Sequence, residues 1–174
     1  MKSGVELSES DIQELLAVDE IERAVQGAIT FVSYRPRSER EVRDRLRKRQ
    51  FSPPAIDQAI ERMRGWGYLD DQAFAEWWVG NRAEHRPRGK RLLAGELRSR
   101  GVSSDVVGEV IEEADLDEYA AALELARKRL SSLSSLDRPT QERRLAAFLG
   151  RRGYGWDVIK PVMKEVFEEF EGEM

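Results

Sequence analysis

Three prolines, Pro36, Pro87 and Pro139, stand 51 and 52 residues apart, and sliding the chain over itself by those offsets superposes one helical pattern three times. Val42 falls on Leu93 and Leu145, and Leu46 on Leu97 and Leu149. Arg49 falls on Arg100 and Arg152, and Phe51 on Val102 and Tyr154. In the next segment Ile56 falls on Val107 and Ile159, and Ile60 on Ile111 and Met163. A fixed period of this kind marks stacked supersecondary units, none of which can bury its apolar face alone. A leading helical segment precedes each proline, at 19–34, 71–85 and 116–134, so each unit holds three helices. The expected fold is all-α: three tandem three-helix repeats in an elongated, curved array, with a short extra helix over 8–18. The expected boundaries are 1–18 for that extension, 19–69 and 70–115 for the first two repeats, and 116–174 for the third with its acidic tail. No segment carries the period-two alternation of a strand.

Local signals agree with the period. Ile21, Val25, Ala28, Ile29 and Val32 form the apolar stripe of the first leading helix. Pro36 disfavours helical geometry at Arg35. Ser38 with Glu41 reads as a capping box, and Val42 and Leu46 then face one way. Ser52-Pro53-Pro54 opens the following helix, which runs to Gly65 through Ile56, Ala59, Ile60 and Met63. A turn at Trp66–Leu69 leads to Asp70 or Asp71 as the next helix cap. Gly101 and Gly153 follow the second helix of their repeats, where a left-handed residue ends a helix; the first repeat has Gln50 there.

Composition removes several function classes. Cysteine is absent and His85 is the single histidine, so neither disulfides nor thiolate or histidine metal sites are expected. No run of about 18 apolar residues exists, and MKSGVELSESD has no apolar stretch of the signal-peptide kind, so a cytoplasmic protein is expected. Asp70-Asp71 has no nucleophile near it in sequence and is better explained by helix capping than by acid–base chemistry. Gly150-Arg-Arg-Gly153 lacks the Lys-Ser/Thr of a phosphate loop and follows no strand. Trp77 and Trp78 lie about 100° apart on a helix, so both are not expected to be fully buried; packing on the core and its flank competes with base stacking or a partner contact. No enzyme, cofactor or metal is expected.

The net charge of −4 conceals segregation: residues 1–34 carry net −5, residues 35–100 net +7 and residues 101–174 net −6. A basic centre between acidic ends points to a polyanionic partner or an acidic protein surface. The charge peaks at RPRSEREVRDRLRKRQF, residues 35–51, where Arg35, Arg37, Arg40, Arg43, Arg45, Arg47, Lys48 and Arg49 face only Glu39, Glu41 and Asp44. Arg43 and Arg47, and likewise Arg45 and Arg49, are four apart on a helix face. Intrahelical pairs Glu39–Arg43 and Glu41–Arg45 are the competing use of these charges. The second repeat echoes the theme with Arg86, Arg88, Lys90, Arg91, Arg98 and Arg100. Guanidinium grips carboxylate or phosphate bidentately, so these are the candidate contacts to a protein partner or to DNA.

Four strings, RPRSEREVRDRL at 35–46, GYLDD at 67–71, GKRLLAGELRSRGV at 89–102 and RRLAAFLGRRGYGWDVI at 143–159, resemble the RecX family in order and spacing. The resemblance covers about residues 20–165. It implies three tandem three-helix repeats and a non-enzymatic regulator that binds filaments of the bacterial recombinase RecA on DNA. Such a regulator blocks filament growth, ATP hydrolysis and strand exchange; a monomer is expected. Gln50 departs from the family's glycine at that turn, and the acidic N-terminus and EEFEGEM tail are not implied by the resemblance. The alternative from the residues alone is a module that binds single- or double-stranded DNA directly.

Overall fold

In a computed structural model, residues 8–172 are described, and they hold nine α-helices and no strand. Residues 1–7 and 173–174, with part of the acidic N-terminus and of the EEFEGEM tail, lie outside the described residues. The first repeat comprises α1 (Glu9–Val32), α2 (Glu39–Lys48) and α3 (Pro53–Gly65). The second comprises α4 (Asp71–His85), α5 (Lys90–Ser99) and α6 (Ser104–Glu113), and the third α7 (Glu118–Ser131), α8 (Arg138–Arg151) and α9 (Trp156–Gly172). The chain forms two compact bodies. One runs to Phe74 and takes in Arg100–Val102; the other holds Ala75–Ser99 and the chain from Ser103 onward.

The expected break between residues 18 and 19 is absent. A capping box of Ser8 with Asp11 starts a single 24-residue helix that continues to Val32. No glycine or proline stands between Ser8 and Gln26 to interrupt it. The stripe of the expected separate helix does not reach a core: Ile12, Leu15 and Leu16 are 44%, 57% and 57% exposed.

The core of the first repeat gathers Val25 and Ala28 of α1, Val42 and Leu46 of α2, and Ile56, Ala59, Ile60 and Met63 of α3. The third repeat repeats this with Ala126, Leu130, Leu145, Leu149, Ile159 and Val162. Leu93, Leu97, Val107 and Val110 are buried in the second. In the last helix of each repeat the shared inward positions are Ile56/Val107/Ile159 and Ala59/Val110/Val162; Ile111 and Met163, matched to Ile60 by the offset, are only half-buried.

Successive repeats join by one recurring device. The buried Ser38 hydroxyl, at the start of α2, donates to the Arg100 carbonyl at 2.7 Å. At the equivalent place one repeat later, the Gly89 N–H donates to the Arg152 carbonyl at 2.9 Å. The first N–H of α2, on Glu39, donates to Asp71 at 2.9 Å, and the first N–H of α5, on Lys90, donates to Glu118 at 2.8 Å. The first residue of each following leading helix therefore satisfies an N–H that a helix start leaves orphaned. Asp70 caps its own helix through the N–H groups of Gln72 and Ala73, at 2.9 and 3.0 Å. Burial in this junction pushes the Asp71 carboxyl up, against the N–H of Glu39.

The turn after each second helix is left-handed in all three repeats, with φ of 63° at Gln50, 87° at Gly101 and 92° at Gly153. A Cβ on Gly101 would meet the Arg40 Cβ at 2.6 Å, and one on Gly153 would meet the Leu92 Cβ at 2.3 Å. Those two turns need glycine for space as well as for φ. Gln50 is exposed, so only the conformational requirement applies and a side chain is accommodated.

Candidate functional site

The basic segment of the first repeat divides its cations among three directions rather than presenting one face. Arg43, expected to share an outward face with Arg47, instead turns toward α3. It bonds Glu39 at 2.8 Å and Asp57 at 2.6 Å, and Glu39 also takes Arg64. The outward face expected for Arg43 is therefore not the one it takes: its side chain is only 25% exposed. The Asp57 and Glu39 carboxylates push its guanidinium pKa up. Burial alone would raise Glu39, but the hydrogen bonds from Arg43 and Arg64 outweigh it and hold that carboxyl below its usual value.

A second group turns toward α1. Arg35 pairs with Glu41 at 2.8 Å. Arg37, 16% exposed, stacks 4.0 Å over the Phe31 ring, and its desolvation, with Arg35 nearby, lowers its pKa. Glu41 caps Ser38 and serves these two arginines, so the Glu41–Arg45 pair anticipated from spacing does not form. Arg45 leans over the same Phe31 ring at 5.6 Å. Arg49 lies across Gly27, which leaves room for it: a Cβ there would stand 2.9 Å from an Arg49 Nη.

The third group faces solvent. Arg40 and Arg47 are 60% and 61% exposed, each beside Asp44 at 3.9 and 2.8 Å. Lys48 is exposed. Among the described residues Arg45, Lys48 and Arg49 make no ion pair, and a guanidinium without an internal carboxylate is the one free to take an external anion.

The second-repeat candidates separate in the same way. Arg88 and Arg82 both bond Glu96, which also accepts the Trp78 indole N–H at 2.8 Å and is 12% exposed. Arg88 thus belongs to a structural network that anchors buried Trp78, with Trp77 half-exposed beside it. The Arg100 backbone belongs to the repeat junction. Arg86, Lys90, Arg91 and Arg98 form no side-chain ion pair among the described residues. His85 is exposed, as is Tyr34 at 79%. No group of metal-ligating side chains occurs among the described residues, and no helix there is long and apolar enough to cross a membrane.

Sequence reasoning misses the arginines of the third repeat. Arg129, Arg143, Arg144 and Arg151 line one cleft. Two Arg-Arg pairs, 143–144 and 151–152, flanking Ala146-Ala147 are the available signal. The negative net charge of residues 101–174 masks it.

Comparison with known proteins matches the repeats one by one. Residues 24–63 match the RecX first three-helix domain, residues 70–111 the second and residues 116–163 the third. The chain is 33% identical over 167 residues to the regulatory protein RecX of Bacillus subtilis, covering 95% of this chain and 63% of that one. The chain therefore spans less than two thirds of that relative's length. It covers 94% of the regulatory protein RecX of Chlorobium phaeobacteroides at 34% identity over 145 residues, which is 83% of this chain. Among solved structures, RecX from Lactobacillus salivarius superposes with a TM-score of 0.74 at 21% identity, covering 86% of this chain and 97% of that one. A second regulatory protein RecX structure gives 0.81 at 19%, covering 94% and 81%. With all three repeats matched in order, and a relative covered almost end to end, this chain belongs to the RecX family of regulatory proteins.

Proposed function

We propose that this protein is a non-enzymatic, cytoplasmic regulator that binds RecA filaments on DNA and restrains filament extension, ATP hydrolysis and strand exchange. Family membership through all three repeats carries this reading. Arg45 and Lys48 of α2 and Arg49 at its C-terminal cap, without an ion pair among the described residues, supply a surface for an acidic partner. Charges of this kind steer encounter and sharpen partner choice more than they add affinity. The repeat frame holds them on a short helix whose apolar side is locked by Val42 and Leu46.

Co-sedimentation tests the reading. The protein should pellet with preformed recombinase filaments on single-stranded DNA and reduce their ATP hydrolysis. Pelleting to the same extent with DNA alone, and unchanged hydrolysis, would contradict it and favour a module acting on DNA directly.

A further inference from the structure

On α2 the carboxylates take Arg40, Arg43 and Arg47, whereas Arg143, Arg144 and Arg151 on the outer face of α8 are taken by none among the described residues. Arg143, Ala147 and Arg151 follow one another at intervals of four, a single ridge along the helix, and Arg144 flanks it. Arg129 of α7 closes the cleft, and no acidic side chain lines its wall. Arg143, Arg144 and Arg151 are exposed and form no ion pair among the described residues. Arg129 donates one Nη to the Ser132 hydroxyl at 3.3 Å, while its buried Nε has no hydrogen-bond partner among the described residues. Asp137, the carboxylate that feels Arg143, is occupied in capping α8 through the Thr140 N–H at 3.2 Å.

A second cleft adjoins the first and shares Ala147 and Arg151 with it. Arg91 of α5 and Trp156, the first residue of α9, stand in its wall. Trp156 is 64% exposed, so it is not a core side chain and its indole is open to a ligand lying in this cleft. Unpaired guanidiniums suit phosphodiesters, and an open indole suits the face of an unpaired base. A duplex hides its base faces and an acidic peptide has none, so either would engage the arginines and leave Trp156 idle.

We infer that the α8 face of the third repeat is a groove for single-stranded nucleic acid, with Arg143, Arg144 and Arg151 on the phosphates and Trp156 stacked on a base. This site is separate from the α2 surface proposed for filament docking. It acts on the strand itself, where the filament reading concerns the protein partner.

The test is fluorescence anisotropy of a labelled oligothymidylate with the full chain, across a salt series and with no recombinase present. Trp156→Ala should weaken binding by about 5- to 150-fold, the range for losing one stacked base, with the salt slope unchanged. The double change Arg144→Ala, Arg151→Ala should weaken binding and lower the slope of log affinity against log salt by about 1.4, at about 0.7 for each phosphate no longer neutralised. Unlabelled oligothymidylate should compete better than a duplex of equal length or polyglutamate. If alanine at 156 lowers the melting temperature, Trp156→Leu, apolar but without a π face, gives the same comparison. Wild-type affinity in the tryptophan variants, equal competition by duplex or polyglutamate, or no oligonucleotide binding at low salt would each overturn the inference. None of those results touches filament docking, and lost filament inhibition with intact oligonucleotide binding would count against that reading alone.

Discussion

The Ser38 hydroxyl donates to the Arg100 carbonyl at 2.7 Å while its oxygen accepts the Glu41 N–H at 3.2 Å, so one buried side chain both caps α2 and fastens the next repeat. Removing it strips a cap, worth about 0.5–2 kcal/mol, and a buried hydrogen bond, worth about 0.5–1.5 kcal/mol. Ser38→Ala is expected to destabilise the protein by about 2–3 kcal/mol in urea unfolding. Ser52→Ala removes a cap bonded within one repeat, to Glu20, and should cost only about 1 kcal/mol. Equal losses in the two variants would remove the special standing of the junction.

The left-handed turns give opposite predictions at equivalent places. Gln50→Gly relieves an unfavourable φ and should stabilise by about 0.5–1 kcal/mol. Gly153→Ala introduces strain at φ 92° and a Cβ 2.7 Å from the Leu92 nitrogen, which cannot rotate away. A loss of about 3 kcal/mol or more is expected on thermal melting.

Arg43 divides structure from docking. Arg43→Glu would set three carboxylates together, with Glu39 and Asp57, in place of a bridge between α2 and α3. The expected loss is about 1–2 kcal/mol in urea, discounted for partial exposure. A variant as stable as wild type would show that the bridge contributes nothing.

Tyr154 is 2% exposed and its hydroxyl has no hydrogen-bond partner among the described residues. Burial, with Glu118 nearby, pushes its pKa up from 10 to about 12. Because the folded value is the higher one, the associated stability is intact below pH 10 and is lost between about pH 10 and 12, up to about 2–3 kcal/mol. Tyr154→Phe should unfold less readily on that alkaline limb and be about 1 kcal/mol more stable at neutral pH, since an unpaired polar group leaves the core. An unchanged alkaline limb would contradict this.

Much of the fold was legible because the repeat period, the Ser38 and Ser52 caps and the glycine turns are local signals that agree with one another. Even the left-handed geometry at Gln50 was readable, from its two glycine counterparts. The continuity of α1 was not, since Ile12, Leu15 and Leu16 mimic the stripe of a separate buried helix. The site was less legible than the fold. Spacing along α2 shows which arginines share a face, but it cannot show that Asp57 on α3 claims Arg43, or that Phe31 on α1 draws Arg37 and Arg45. Those partners come from other helices, and net charge counted over residues 101–174 hid the arginines of α8 among the acids of α6, α7 and α9.

If Arg45, Lys48 and Arg49 dock this protein on an acidic surface of the recombinase filament, its inhibition must depend on their charge. The most direct measurement is inhibition of DNA-dependent ATP hydrolysis by the double variant Arg45→Glu, Arg49→Glu, at low and at physiological salt, beside its melting curve. Exposed charges seldom contribute more than about 1 kcal/mol, so melting should hardly move. Inhibition should weaken mainly through slower association, and the gap from wild type should narrow as salt shortens the screening length to about 8 Å. A double variant that melts normally and inhibits as strongly as wild type at low salt would contradict the claim.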